Sequence, residues 1–138
     1  MSAEYAFSTR TRVGFSDTDA QAVVYYGRYL PYFDLARTKY HRHLGAIDIR
    51  GQFAMRASTV EYHAPARFDD LLEIFVRTSR IGRSSLTNEC AAYRVEDDRL
   101  MCTARLTVVL IDTASRLPID VPDDYRRSVA AFEGDCLE

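Results

Sequence analysis

No run of about 18 apolar residues, the length a helix needs to cross a bilayer, occurs anywhere in the chain. Residues 1–12 alternate polar with apolar positions and carry Glu4, Arg10 and Arg12, so the apolar core of a signal peptide is missing as well. Cysteine is sparse: Cys90, Cys102 and Cys136 are an odd number, and no pair has the C-x-x-C spacing of a zinc site or redox dithiol. A reducing, cytoplasmic compartment is the simplest expectation. An excess of positive charge is lacking too. A formal net charge of −2 argues against a nucleic-acid binder that works by neutralising phosphates. His41 and His43 stand two apart on a helical pattern and face different ways, so they cannot form the i, i+4 pair of a zinc protease.

What is present is the composition of an ordinary globular domain, 47% hydrophobic and 28% charged over 138 residues. One domain, residues 1–138, is expected, with no room for a separate cofactor domain and no cofactor implied. Even spacing of Tyr5, Phe7, Val13 and Phe15 predicts a strand over residues 5–15, broken at Ser16-Asp17-Thr18-Asp19. Leu30, Phe33, Ala36, Tyr40 and Leu44 then recur every three or four positions and predict a helix starting between Gly27 and Tyr29. Pro31 falls in its first turn and Gly45 stops it.

Four strand-like runs follow, at residues 55–62, 71–81, 85–95 and 100–111, each bounded by turn chemistry. The links are too short for parallel crossovers, so the neighbours are antiparallel. A short helix is expected over residues 122–132. The result is an α+β chain: an antiparallel sheet of about five strands, curved around one long central helix that covers its apolar face. Exposed edge strands predict pairing with further copies, as a homodimer or homotetramer.

Residues 12–29, RVGFSDTDAQAVVYYGRY, resemble the signature of the 4-hydroxybenzoyl-CoA thioesterase family, which includes acyl-CoA thioesterases associated with the Tol-Pal system. Further blocks agree in order: YFDLART at residues 32–38, VEYHAPARFDD at 60–70 and RIGRSSL at 80–86. The resemblance covers roughly residues 12–122 and implies the hotdog fold and hydrolysis of acyl-CoA, with acyl carrier protein as the alternative thiol carrier. It also implies that the second acid of D-x-D, Asp19, carries the chemistry.

An Asp just upstream of a helix can attack a thioester carbonyl or deprotonate a water that does so. The free N–H groups of Tyr26 and Gly27 at the helix start can stabilise the oxyanion, and such donors are typically worth about 3 kcal/mol each. The turn Gly82-Arg83-Ser84-Ser85, with Arg80, resembles the family's nucleotide-side hairpin and offers cations for phosphates. Tyr25, Tyr29 and Tyr62 are the candidate surface for the acyl group.

The chain departs from the family at Gln21 and Ala22, where glycine is frequent, so the turn there tolerates positive φ less easily. Tyr26 stands where the Tol-Pal branch tends to have His and the hydroxybenzoyl branch an aromatic residue. Asp17 and Asp19 could share a hard cation, but no acidic cluster supplies the remaining oxygens, and a metal is not expected. The competing reading is a hotdog domain that binds acyl-CoA or a partner without turning it over.

Overall fold

The computed structural model describes residues 4–45, 52–134 and 137. Cys136 lies outside them. Five strands form one antiparallel sheet: β1 (Phe7–Arg12), β2 (Gln52–Tyr62), β3 (Leu71–Ile81), β4 (Ser85–Arg94) and β5 (Arg99–Ile111), in the spatial order β1-β3-β4-β5-β2. Helix α1 (Tyr29–His43) lies between β1 and β2 in the chain, and α2 (Asp123–Glu133) closes it. No helix among the described residues is long and apolar enough to cross a membrane.

The helical stripe read from the sequence is the buried face of α1. Phe33, Ala36 and Tyr40 are fully buried, and Leu30 and Leu44 pack at its margins. They meet Leu72, Ile74 and Val76 of β3, Cys90 and Ala92 of β4, and Cys102, Ala104 and Leu106 of β5. Alternate residues of each strand point to one face, which is why this set recurs at every second position. Burying a side chain of this size stabilises the fold by about 1.5–3 kcal/mol. Pro31 does sit in the first turn, where a missing N–H costs nothing. Gly45 ends the helix at φ +77, donating its N–H to Arg42 O at 3.0 Å.

One expected strand is shorter than its pattern. β1 ends at Arg12, and Phe15, expected to continue it, instead opens a 3-10 turn (Phe15–Asp17) with its ring 78% exposed. The cause is local: the Asp17 carboxylate accepts the N–H of Gly14 at 2.9 Å and bends the chain out of the ladder.

α2 matches the expected C-terminal helix, and it is more than a surface element. Val121, Tyr125 and Val129 form a second apolar cluster with Leu86 and Val108. The buried Glu133 carboxylate accepts hydrogen bonds from the Tyr40 hydroxyl and, at 2.9 Å, from the Thr78 N–H. The latter is free because it points to the β1 side of β3, where the pairing ends at Phe7 opposite Val76.

Candidate active site

The Asp19 loop is a miniature hairpin. The Asp19 N–H donates to Val23 O and the Ala22 N–H to Asp19 O, both at 2.9 Å, and a bridge pairs Thr18 with Val24. The Asp19 carboxylate caps the turn from within, accepting the Gln21 N–H at 2.8 Å. Ala22 takes φ 63, the left-handed region that favours glycine, so the departure noted at this position leaves the turn geometry intact at some cost in strain. The loop is fastened to the segment before β3 by the Val24 N–H to Ala66 O, 2.8 Å, and a bridge between Val23 and Arg67. Asp19 itself is exposed.

A second 3-10 turn (Tyr26–Arg28) leads directly into α1. Its first internal bond runs from the Arg28 N–H to Tyr25 O at 2.8 Å, so the N–H groups of Tyr26 and Gly27 have no acceptor within the turn. The Tyr25 ring lies over Gly27: a Cβ there would stand 2.7 Å from the ring edge, so a side chain at this position would displace it. Tyr25 and Tyr26 rings approach to 4.4 Å, Tyr26 and Tyr62 to 6.3 Å, and the Tyr62 hydroxyl donates to Tyr26 O at 3.3 Å. The Tyr25 hydroxyl is pushed up from its ordinary value, first by its hydrogen bond with the Tyr26 hydroxyl and, among lesser causes, by the nearby charge of Asp19.

The structure thus brings together Asp19, Tyr25, Tyr26, Gly27 and Tyr62 at one end of the sheet. Tyr29 underlies them. It is 3% exposed, its ring 5.9 Å from Tyr62, and burial pushes its hydroxyl up to about 12. Arg80, Arg83, Ser84 and Ser85 are not part of this group within one chain. β3 starts beside the Asp19 end, where Asp70 O accepts the Val13 N–H at 2.9 Å. The hairpin lies at its other end, ten residue steps along a strand that rises about 3.3 Å per residue. Arg83 there pairs with Asp120 at 2.8 Å, both well exposed, and Arg126 holds the carbonyls of Gly82 and Arg83 at 2.7 and 3.1 Å.

Sequence reasoning weighed Asp17 only as a cation partner of Asp19; the structure buries it. Its Oδ1 accepts Arg28 Nε at 3.0 Å and Nη2 at 2.9 Å, and its Oδ2 accepts the Tyr32 hydroxyl at 2.7 Å besides Gly14. Burial alone would push this carboxyl up. The hydrogen bonds from Tyr32, Gly14 and Arg28, with the guanidinium charge, outweigh that and hold it below the usual carboxylate range. With its oxygens committed to these donors, Asp17 has little to offer a shared cation. The available signal was the i, i+4 spacing of Arg28 and Tyr32 across the helix entry.

A cavity of about 540 Å³ runs further along α1, lined by Asp34, Arg37, Thr38 and His41 with Phe53, Met55 and Val108. Cys90 and Cys102 are buried, and burial pushes both thiols up to about 12, away from the thiolate form.

This arrangement is that of a known family. Residues 13–129 match the model of the thioesterase-like superfamily, and the chain belongs to it. Among curated relatives, the acyl-CoA thioester hydrolase YbgC of Escherichia coli O6:H1 is 35% identical over 121 residues, 84% of this chain and 90% of that one. The acyl-CoA thioesterase YbgC of Haemophilus influenzae is 30% identical over 91% of this chain and 93% of its own. A thioesterase from Thermus thermophilus, solved in complex with coenzyme A and Zn, superposes with a TM-score of 0.86 at 26% identity, covering 96% of this chain and 98% of that one.

Proposed function

We propose that the protein hydrolyses acyl-CoA thioesters to a free acid and CoA, with Asp19 as the group that attacks or activates. The observation that carries this reading is an exposed carboxylate whose one bond among the described residues is to the Gln21 N–H within its own turn, followed along the chain by Tyr26 and Gly27 N–H groups that have no acceptor among the described residues. The names of the YbgC relatives support the substrate class.

In the nucleophilic route an Asp19 oxygen adds to the thioester carbonyl carbon, the oxyanion is held by the Tyr26 and Gly27 N–H groups, and the C–S bond breaks to release thiolate. Water then hydrolyses the resulting anhydride and restores the carboxylate. In the general-base route Asp19 takes a proton from water as the water oxygen adds to the same carbon, the C–S bond then breaks, and the departing sulfur takes that proton to leave as the thiol. A thiolate is a good leaving group, so neither route calls for a strong acid. The exposed rings of Tyr25, Tyr26 and Tyr62 give the acyl group an apolar wall.

The active form in this proposal is a homodimer or homotetramer. β1 and β2 are the two edges of the sheet, and β2 presents an exposed flank from Met55 to Thr59. Arg80, Arg83, Ser84 and Ser85 lie too far along β3 to serve Asp19 of their own chain, so their service to the nucleotide end of CoA is that of a second copy. Carrier-protein thioesters share the same reactive end and are the alternative substrate.

Thiol release from short, medium, long and aromatic acyl-CoA thioesters, by the wild type and by Asp19→Asn, tests the reading. Turnover of one class, with kcat lower by about 10³-fold or more in the variant, is the expected result. A variant as active as the wild type would refute the role of Asp19, and silence on every thioester would leave a binding domain.

A further inference from the structure

The site holds two carboxylates two residues apart, and the chemistry above uses only one. Asp17 is the more elaborately bonded. Its four side-chain contacts come from Gly14 before the loop, Arg28 at the helix entry and Tyr32 one turn into α1. A fifth bond uses its backbone: Asp17 O accepts the Tyr25 N–H at 2.9 Å. Between Asp17 and Tyr25 the chain makes the Asp19 hairpin and nothing else. Asp17 therefore closes the base of the loop that carries Asp19, and from the same residue fixes the turn whose next two N–H groups belong to Tyr26 and Gly27.

The charge matters separately. Arg28 has nearly half of its side chain exposed, and both of its contacts with Asp17 go to Oδ1. Released from Asp17, that guanidinium is an unneutralised cation at the base of the loop that carries Asp19. An ion-paired carboxylate has a lower proton affinity and is the poorer base and nucleophile.

We infer that Asp17 is the positioning residue of this site: it sets the Asp19 carboxylate against the Tyr26 and Gly27 N–H groups and keeps the Arg28 charge off Asp19. This rests on the thioesterase reading above. Asp17 touches no reacting atom. Its removal is felt in the geometry of the transition state more than in the binding of the ground state, where the Tyr25, Tyr26 and Tyr62 wall remains.

The experiment compares the wild type, Asp17→Asn, Arg28→Gln and the double variant in the thiol-release assay, with Asp19→Asn alongside and a thermal melt of each. Asn keeps one acceptor oxygen and removes the charge that holds Arg28. Asp17→Asn is expected to lower kcat by about 10- to 100-fold while KM stays within about threefold, since small displacements of reacting groups cost this much. Adding Arg28→Gln is expected to return at least about fivefold of the loss, because the stray cation is then gone. A kcat within about twofold of wild type in Asp17→Asn, or no recovery in the double variant, overturns the inference.

Should Asp17→Asn fail to fold, Tyr32→Phe removes one donor and keeps the ring. A fall in kcat at constant KM supports the inference there, and an unchanged kcat overturns it. If the wild type releases no thiol from any thioester, the thioesterase reading fails by itself, and the amide resonances of Asp19, Tyr26 and Gly27 decide the clamp. Displacement of all three in Asp17→Asn supports it, and resonances that stay in place overturn it.

Discussion

The two ends of α1 use polar groups in opposite ways. At its C-terminal half several are buried and bonded across long separations: Arg37 Nε donates to Asn88 at 3.1 Å, Asn88 to Thr78 at 3.1 Å, and the Tyr40 hydroxyl to Glu133, while His41 Nε2 is the exception, buried without a partner among the described residues. At its N-terminal entry one carboxylate, Asp17, is saturated, while its neighbour Asp19 is left facing solvent. Where every polar atom has a partner, the group is structural, and its loss costs stability. Where a carboxylate faces solvent and is bonded only within its own turn among the described residues, it stays open to a partner from outside the chain. The comparison implies that damage at the two ends should separate cleanly into lost stability and lost activity.

The largest effect should come from Asp19→Asn, which removes about 10³-fold of kcat, or about 4 kcal/mol of transition-state stabilisation, while the melting temperature stays put. A calorimetric scan beside the thiol-release assay checks both halves. The mirror image is Glu133→Ala, which strands the buried Thr78 N–H and leaves the Tyr40 hydroxyl with Thr78 Oγ1 at 2.9 Å. It should cost about 3 kcal/mol in urea unfolding and leave kcat per folded molecule within about twofold. Should that variant lose turnover while keeping its fold, the two ends of α1 are coupled and the comparison breaks.

pH sharpens the same contrast at His41, whose ring stacks on Phe53 at 5.4 Å and shares a 2.6 Å hydrogen bond between Nδ1 and the Tyr125 hydroxyl. Burial, with the nearby Arg37 charge, lowers its pKa to about 4. The unfolded chain binds a proton near pH 6.5 and the folded one does not until about pH 4, so stability from this residue is complete above pH 6.5 and falls as pH drops toward 4. The loss reaches about 3 kcal/mol, and His41→Phe should flatten that part of the stability–pH curve. The smallest effect is at Ala22. Ala22→Gly relieves a non-glycine residue at φ 63 but loosens the unfolded chain, so denaturation should show a change of less than about 1 kcal/mol, with kcat retained.

Much of the fold was legible in the sequence because it rests on short-range pattern. The predicted helix start, the first-turn Pro31 and the Gly45 stop all hold, and β3 spans the residues that its alternation predicts. β1 is the instructive exception. Phe15 has the right spacing for a strand, but a side-chain hydrogen bond three residues ahead, from Gly14 N–H to Asp17, competes with the ladder and wins. Spacing counts apolar residues and is blind to that competition.

For the candidate site, Asp19, Tyr25, Tyr26, Gly27 and Tyr62 were named from the sequence, and the structure gathers them at one end of the sheet. The Arg80–Ser85 hairpin was named as well and lies at the other end. Turn chemistry identifies a turn without saying which end of the sheet it occupies.

By itself the sequence determined the identity and order of the elements, the buried stripe of α1 and the family to which the chain belongs, because each is written in neighbours a few residues apart. Only the tertiary structure decided which of two similar carboxylates would be spent and which left free. It also decided that Glu133 would reach Tyr40 from 93 residues away. The physical reason is that a polar group's fate depends on the donors that folding brings within about 3 Å of it, and those donors come from other elements of the chain.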